Sequence, residues 1–269
     1  MKRNKVSPQA MTCRIREIFS YDDMIKSLVK RELRGKYKGS VLGFLWTFIN
    51  PLCQIIVYTI VFSVILRSNL DQFYLYVITG MIPWLFFDLS LRLGSGSIRY
   101  QGEMVKQIYF PREVLPVSCV TAQFINMLFC FVIVFLVLFL SGRGVSVRAL
   151  FYLPMIMILE YALTLGLTLI VSSVTVFFKD MEHIITVILM AWIYLTPLLY
   201  PLEVIPGSIR FLFKLNPMTS VIEGYHCILY WQKAPYFKLT VYGILFAIVS
   251  LFLGELIFST LEKRFAEEL

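Results

Sequence analysis

The chain has 269 residues, 58% of them hydrophobic, and a formal net charge of +8 from 25 Lys and Arg against 17 Asp and Glu. That much apolar surface is more than a soluble domain can hide, so a polytopic membrane protein is favoured over a soluble enzyme. The first 38 residues carry 11 Lys or Arg and 4 acids; this excess is read as orienting charge and contact with anionic lipid, not as a nucleic-acid site.

Residues 1–20 show no pattern. From Asp22 to Lys38 the apolar positions Ile25, Leu28, Val29 and Leu33 recur at helical spacing, with Lys and Arg on the other faces and Asp22 or Asp23 able to cap the start. This predicts an amphipathic helix in the cytoplasmic interface, with a solvated basic leader as the alternative. Gly35, Gly39 and Gly43, four apart, are spaced for close approach of another helix. The apolar run that follows is longer than a signal-peptide core and lacks a small-residue cleavage site, so no cleavable signal is expected.

Six apolar stretches, 41–66, 72–91, 116–140, 149–177, 184–200 and 239–259, contain no Lys or Arg. About 20 apolar residues cross a bilayer core, so each is predicted to span. Pro51 is expected to bend or break the first span. Between the second and third lies a polar stretch, 92–113, whose centre is expected to form a short helix ended by Pro111. Between the fifth and sixth, Pro201, Pro206, Pro217 and Pro235 divide pieces too short to cross, which suit re-entrant or interfacial helices. With the connections assigned alternately, 18 Lys and Arg fall on the N-terminal side and seven on the other, which predicts both termini in the cytoplasm.

Catalytic patterns are missing. There is no GxxxxGK[ST] phosphate loop, no HExxH and no GxSxG. His183 and His226 stand far apart, and Cys13, Cys53, Cys119, Cys130 and Cys227 are scattered, so no metal site is expected. Glu160 and Glu255 are acids within apolar spans, where an ionisable group is functional or paired inside the bundle; Asp88 lies nearer a span end. Such a chain can form a pathway without supplying its energy. It is either the membrane half of a transporter whose motor is another chain, or a membrane enzyme acting on a lipid-linked substrate with a site too diffuse to recognise.

Arg31-Glu32-Leu33-Arg34-Gly35-Lys36-Tyr37, Ser40 to Trp46 and Asn50-Pro51 resemble the opening of permease subunits of ABC exporters for cell-surface polysaccharides, which handle O-antigen, capsule and teichoic acid. Gly80-Met81-Ile82-Pro83-Trp84, Phe110 to Pro116, Phe177-Phe178-Lys179-Asp180, Thr196 to Tyr200 and Asn216-Pro217-Met218 follow in the family's order along nearly the whole chain.

The resemblance implies an all-α, six-span permease domain over 39–269, preceded by an N-terminal region, 1–38, with its interfacial helix. It implies pairing with a second copy and docking of two ATP-binding subunits, which carry the ATP and Mg. The coupling helix toward the ATPase is expected at Ser97, Ile98, Arg99, Tyr100, Glu103 and Lys106. A channel between the two permeases would be lined by aromatic residues, with Trp46, Tyr58, Trp84, Tyr194 and Tyr200 as candidates; packing or interface anchoring is the alternative for each. Arg31, Arg34 and Lys36 are candidates to attract a polyprenyl pyrophosphate, the alternative being anionic-lipid contact. Pro197, Pro201, Asn216 and Pro217 are candidates for an outer gate. The chain is expected in the cytoplasmic membrane, with another ABC exporter permease, for drugs or lipids, as a further alternative.

Overall fold

A computed structural model describes residues 20–35, 41–65 and 70–269, and among these the chain is helical without strands. Five runs are long and apolar enough to cross a membrane: Gly43–Ser63, Phe73–Ser95, Val114–Leu140, Val147–Phe177 and Phe237–Glu268.

The amphipathic helix forms as α1, Asp22–Gly35. Asp22 and Asp23 in its first turn and Arg34 in its last oppose the helix dipole. Leu28 and Val29 face inward, and α1 lies against the third long helix. Asp22 pairs with Lys26 one turn on and raises the lysine's pKa above its ordinary value. A Cβ on Gly35 or Gly43 would meet nothing within 4 Å, so no other described helix of this chain comes close there; Gly39 and Lys36 lie outside the described residues.

The first span is α2, Trp46–Thr59, entered by a 3-10 turn at Gly43–Leu45 and extended by a π turn at Ile60–Ile65. It is helical on both sides of Pro51. A proline cannot donate to the carbonyl four residues back, here that of Thr47, and the Cys130 thiol lies 3.4 Å from this oxygen.

Next, α3 (Phe73–Ser95) forms the centre of the bundle and is buried along most of its length. It touches α2 and also α5 (Val114–Leu140), α7 (Leu153–Phe177) and α8 (Met181–Trp192). The polar connection after α3 folds as a 3-10 turn, Arg99–Gln101, and a short helix, α4 (Gly102–Gln107), before Pro111. A one-turn helix, α6 (Val147–Leu150), leads into α7.

The stretch expected as a fifth span, 184–200, is not one continuous helix. Its helix, α8, has 12 residues, about 18 Å at 1.5 Å per residue, against a hydrocarbon core of about 30 Å. The N–H groups of Tyr194, Leu195 and Thr196 then reach back only three residues, to Ala191, Trp192 and Ile193, before Pro197.

The proline-divided outer segment folds into two short helices, α9 (Gly207–Leu215) and α10 (Pro217–Tyr225), the latter continued by a π turn through Tyr230. The last long helix is α11 (Phe237–Leu261), followed by the short α12 (Phe265–Glu268). The backbones of α7 and α11 approach closely. A Cβ on Gly166 would lie 2.5 Å from the Leu251 nitrogen, and one on Gly254 would lie 2.5 Å from the Gly166 oxygen. Small residues let backbones touch in this way where lipid offers no hydrophobic drive.

Apolar side chains gather at one end of the bundle, here called basal. Leu28 of α1, Ile98, Val105 of α4, Val176 of α7, Phe258 of α11 and Phe265 of α12 share one cluster. The described N-terminal helix and the C-terminal helix therefore meet at the same end. At the opposite, distal end, Arg143 lies 4.2 Å over the Tyr230 ring, Gln232 donates to the carbonyls of Arg143 and Gly144, and Tyr230 donates to the Asp71 carbonyl.

Candidate functional site

Three regions hold the candidate residues: the basal loops, the exposed face of α2, and the distal segment.

In the basal loops, the turn after α3 is fixed from inside. Ser97 donates to the Gly94 carbonyl at 2.7 Å, and Ile98 is fully buried. Arg99 forms an ion pair with Glu182 in the first turn of α8, at 2.7 Å. Tyr100 donates to the other oxygen of the same carboxylate at 2.8 Å, and this bond raises its phenol pKa. One acid thus binds the α3–α4 turn to the start of α8. Glu103 and Lys106 of α4 remain exposed, as do Ile108 and Tyr109, the latter at 87%. Exposed apolar groups beside charged ones, on a helix anchored by buried neighbours, form a firm contact surface. Arg31 and Arg34 are exposed on α1, and Arg31 opens with Glu32, Tyr100 and Glu103 onto a basal cleft of about 440 Å³.

On α2, Trp46 is 37% exposed and Tyr58 is half-buried. Tyr194, beyond α8, is exposed and lies within electrostatic reach of Tyr58. Tyr200 is half-buried and donates to the Tyr194 carbonyl. Tyr58, Tyr194 and Tyr200 come together, whereas Trp46 stands twelve residues earlier at the start of α2. Trp84 does not join them: it is 2% exposed and packs 5.6 Å from Phe87 inside the chain.

At the distal end, Asn216 is a junction. Its Oδ1 accepts from the Met218 N–H, capping α10, and from Trp192 Nε1 at 2.9 Å; its Nδ2 donates to the Leu195 carbonyl and the Thr196 hydroxyl. Pro217 stands at the first position of α10, where a missing N–H costs nothing. Tyr76, in the first turn of α3, reaches the carbonyls of Pro197 and Tyr200 at 3.2 Å each, so the chain just before Pro201 is tied to the bundle.

Sequence reasoning passed over a buried polar layer beneath this segment. His226 stacks on Tyr76 at 3.8 Å and its Nε2 lies 3.1 Å from the Tyr76 carbonyl. A Cβ on Gly80 would lie 2.6 Å from that nitrogen, which explains the glycine of the Gly80–Trp84 element. Glu160 is fully buried and accepts from the Tyr225 hydroxyl at 2.6 Å. This is the pairing inside the bundle that sequence left as one alternative. Its signal was present in Glu160 alone; the partner, 65 residues away, was not legible. Glu255 is half-buried on α11.

Against known proteins, the chain is 31% identical over 257 residues to the O-antigen export system permease protein RfbA of Myxococcus xanthus, covering 95% of this chain and 98% of that one. It is 30% identical over 245 residues to the protein of the same name from Klebsiella pneumoniae, at 91% and 94% coverage. The polysialic acid transport protein KpsM of Escherichia coli is 22% identical over 246 residues, at 89% and 93%. Residues 24–230, from α1 to the end of the distal segment, match the ABC-2 type transporter family, and the chain belongs to that family.

Proposed function

We propose that this chain is the membrane-spanning subunit of an ATP-driven exporter of lipid-linked, cell-surface polysaccharide. The observation that carries this reading is the end-to-end likeness to an O-antigen export permease, with 95% of one chain and 98% of the other aligned. Two copies pair, each docks one ATP-binding subunit, and ATP and Mg²⁺ are held by those partners.

The contacts at the two ends support a sixth crossing. Glu182 meets Arg99 basally, whereas the carbonyls of Pro197 and Tyr200 meet Tyr76 distally. The chain between them therefore travels the length of the bundle, although α8 covers only part of the way. Six crossings keep both termini at the basal, cytoplasmic end, in agreement with the distribution of Lys and Arg. The exposed ridge of α4 is the ATPase docking surface, buttressed by the Arg99–Glu182 pair. Arg31 and Arg34 attract the pyrophosphate of a polyprenyl carrier at the cytoplasmic interface. The aromatics of α2 and of residues 194–200 face the path between the two permeases, and the segment hinged at Asn216 closes its outer mouth.

Deleting the gene in its host tests this. The expected result is loss of surface polysaccharide with lipid-linked glycan accumulating inside, restored by the intact gene. Undiminished surface polysaccharide would overturn the reading.

A further inference from the structure

Trp46, Asn50, Gln54 and Tyr58 follow one another four residues apart on α2, so they form a single inclined row in a mostly apolar helix. Facing the row, α5 presents Gln123 and Asn126, one turn apart on the same side. Between the two helices lies a cavity of about 240 Å³, bounded by Trp46, Asn50, Gln54, Gln123, Asn126 and, on α3, Asp88. Asn50 and Gln54 are exposed at its rim, whereas Gln123 and Asn126 are buried to 2% and 7% exposure at its wall.

The wall carries unused hydrogen-bonding capacity. Asn126 Nδ2 lies 3.3 Å from Gln123 Oε1, but Gln123 Nε2 and Asn126 Oδ1 have no partner. If both amides are turned over, the pair still bonds once and still leaves one donor and one acceptor idle. Buried polar groups are ordinarily satisfied, and in a membrane no bulk water is at hand to do it. An acyl chain in this cavity would leave both groups orphaned. An anion would meet the Asp88 carboxylate, one of whose oxygens Arg92 binds at 2.8 Å. The chemistry that fits is neutral, with hydroxyls on adjacent carbons, each able to donate and to accept. The indole of Trp46 at the mouth offers a flat apolar face to a ring.

We infer that the cavity between α2 and α5 is a sugar subsite, holding one neutral pyranose ring of the passing glycan through the Gln123 and Asn126 carboxamides. It rests on the export reading above and deepens it. The volume takes a single ring, so the subsite samples one unit of the polymer at a time, and the row on α2 leads from it toward Tyr58.

Gln123→Leu and Asn126→Leu, expressed in the deletion strain, should each lower surface polysaccharide about tenfold, the scale of leaving a buried hydrogen bond unmade. Membrane abundance and ATPase co-purification should stay near the parent level. Export at the parent level would overturn the subsite. The second measurement does not depend on the folding of those variants. In a background with Cys13, Cys53 and Cys130 changed to Ser, Asn50→Cys places a thiol at the rim, and N-ethylmaleimide should label it several-fold more slowly in cells making the glycan than in cells blocked in glycan synthesis. Equal rates would mean that the cavity holds water only. If the deletion strain keeps its surface polysaccharide, the export reading itself fails; if the deletion removes it while the leucine variants export normally, only the subsite fails.

Discussion

Glu182 holds Arg99 at 2.7 Å across 83 residues of sequence. The same carboxylate takes the Tyr100 hydroxyl, so the loop between α3 and α4 cannot shift without pulling on the turn that opens α8. Both side chains are about a quarter exposed. An isolated pair of this kind contributes up to about 1 kcal/mol, so its importance lies in alignment more than in stability. Arg99→Glu should reduce export with little change in abundance, and Arg99→Glu combined with Glu182→Arg should recover a large part of it. A double variant no better than the single one would show that Arg99 acts on something other than Glu182.

The exposed ridge of α4 gives a second prediction. Glu103 is exposed and its helix is anchored by the buried Val105, so reversing its charge should alter the surface without disturbing the fold. Glu103→Lys should weaken co-purification of the ATP-binding partner, more strongly at low salt because exposed charges are screened at high salt. Unchanged recovery of the partner with unchanged surface polysaccharide would remove α4 from the docking surface.

The crossing of α7 and α11 gives a third. A Cβ on Gly166 would meet the backbone of Ser250 and Leu251 at 2.5 Å, and backbone cannot swing aside as a flexible side chain can. Gly166→Val should therefore cost at least the 1–3 kcal/mol typical of overpacking, roughly, and appear as loss of protein from the membrane. Gly35→Ala, where open space surrounds the position, should leave abundance unchanged.

How much of this was legible in the sequence follows from the range of each interaction. The amphipathic helix α1 was readable because its periodicity and its first-turn acids lie within 14 residues. The short helix before Pro111 was only half legible, because a polar stretch closed by a proline fits a plain connector equally well. The fifth span was not legible, because hydropathy over 184–200 does not register what ends a helix. There α8 stops at Trp192, whose indole is engaged by Asn216, and Pro197 prevents the turns that follow from resuming an α-helix. The glycine ladder at 35, 39 and 43 drew attention by spacing alone, while the close contact belongs to Gly166 and Gly254, 88 residues apart. Gln123 and Asn126 looked like isolated polar residues in an apolar run until α2 was laid against α5. Asn50 and Gln54 at i, i+4 were the available signal on the other side. Trp84 looked like its aromatic neighbours in sequence, but the central position of α3 encloses it.

The buried carboxyl of Glu160 gives a fourth. One of its oxygens is satisfied by Tyr225 and the other has no hydrogen-bond partner. Tyr225→Phe removes the one donor at almost constant volume and should destabilise the protein by about 1–3 kcal/mol, the cost of orphaning a buried polar group. Combining it with Glu160→Leu should restore much of the loss, since replacing both partners by apolar groups is far cheaper than removing one. Thermal unfolding of the purified complex measures both. A double variant as unstable as Tyr225→Phe would mean that the loss does not come from orphaning the Glu160 carboxyl.

The gathering of α1, α4 and α12 into one basal cluster makes the strongest demand on topology. Phe265 meets Phe258 edge-on at 5.4 Å and Phe177 at 6.1 Å, so the C-terminal helix is packed onto the end of α7, not trailing free. Six crossings satisfy this; five would drive the two termini to opposite faces. Single cysteines at Glu103 and Glu267 should therefore share one accessibility, reacting only after a membrane-permeant reagent enters the cell. Cysteines at Arg148 and Lys233, in the distal loops, should react with an impermeant reagent applied outside. Labelling of Glu267→Cys from outside, with Glu103→Cys still protected, would separate the ends that the basal cluster joins. It would also leave the segment from Glu182 to Tyr200 unable to cross.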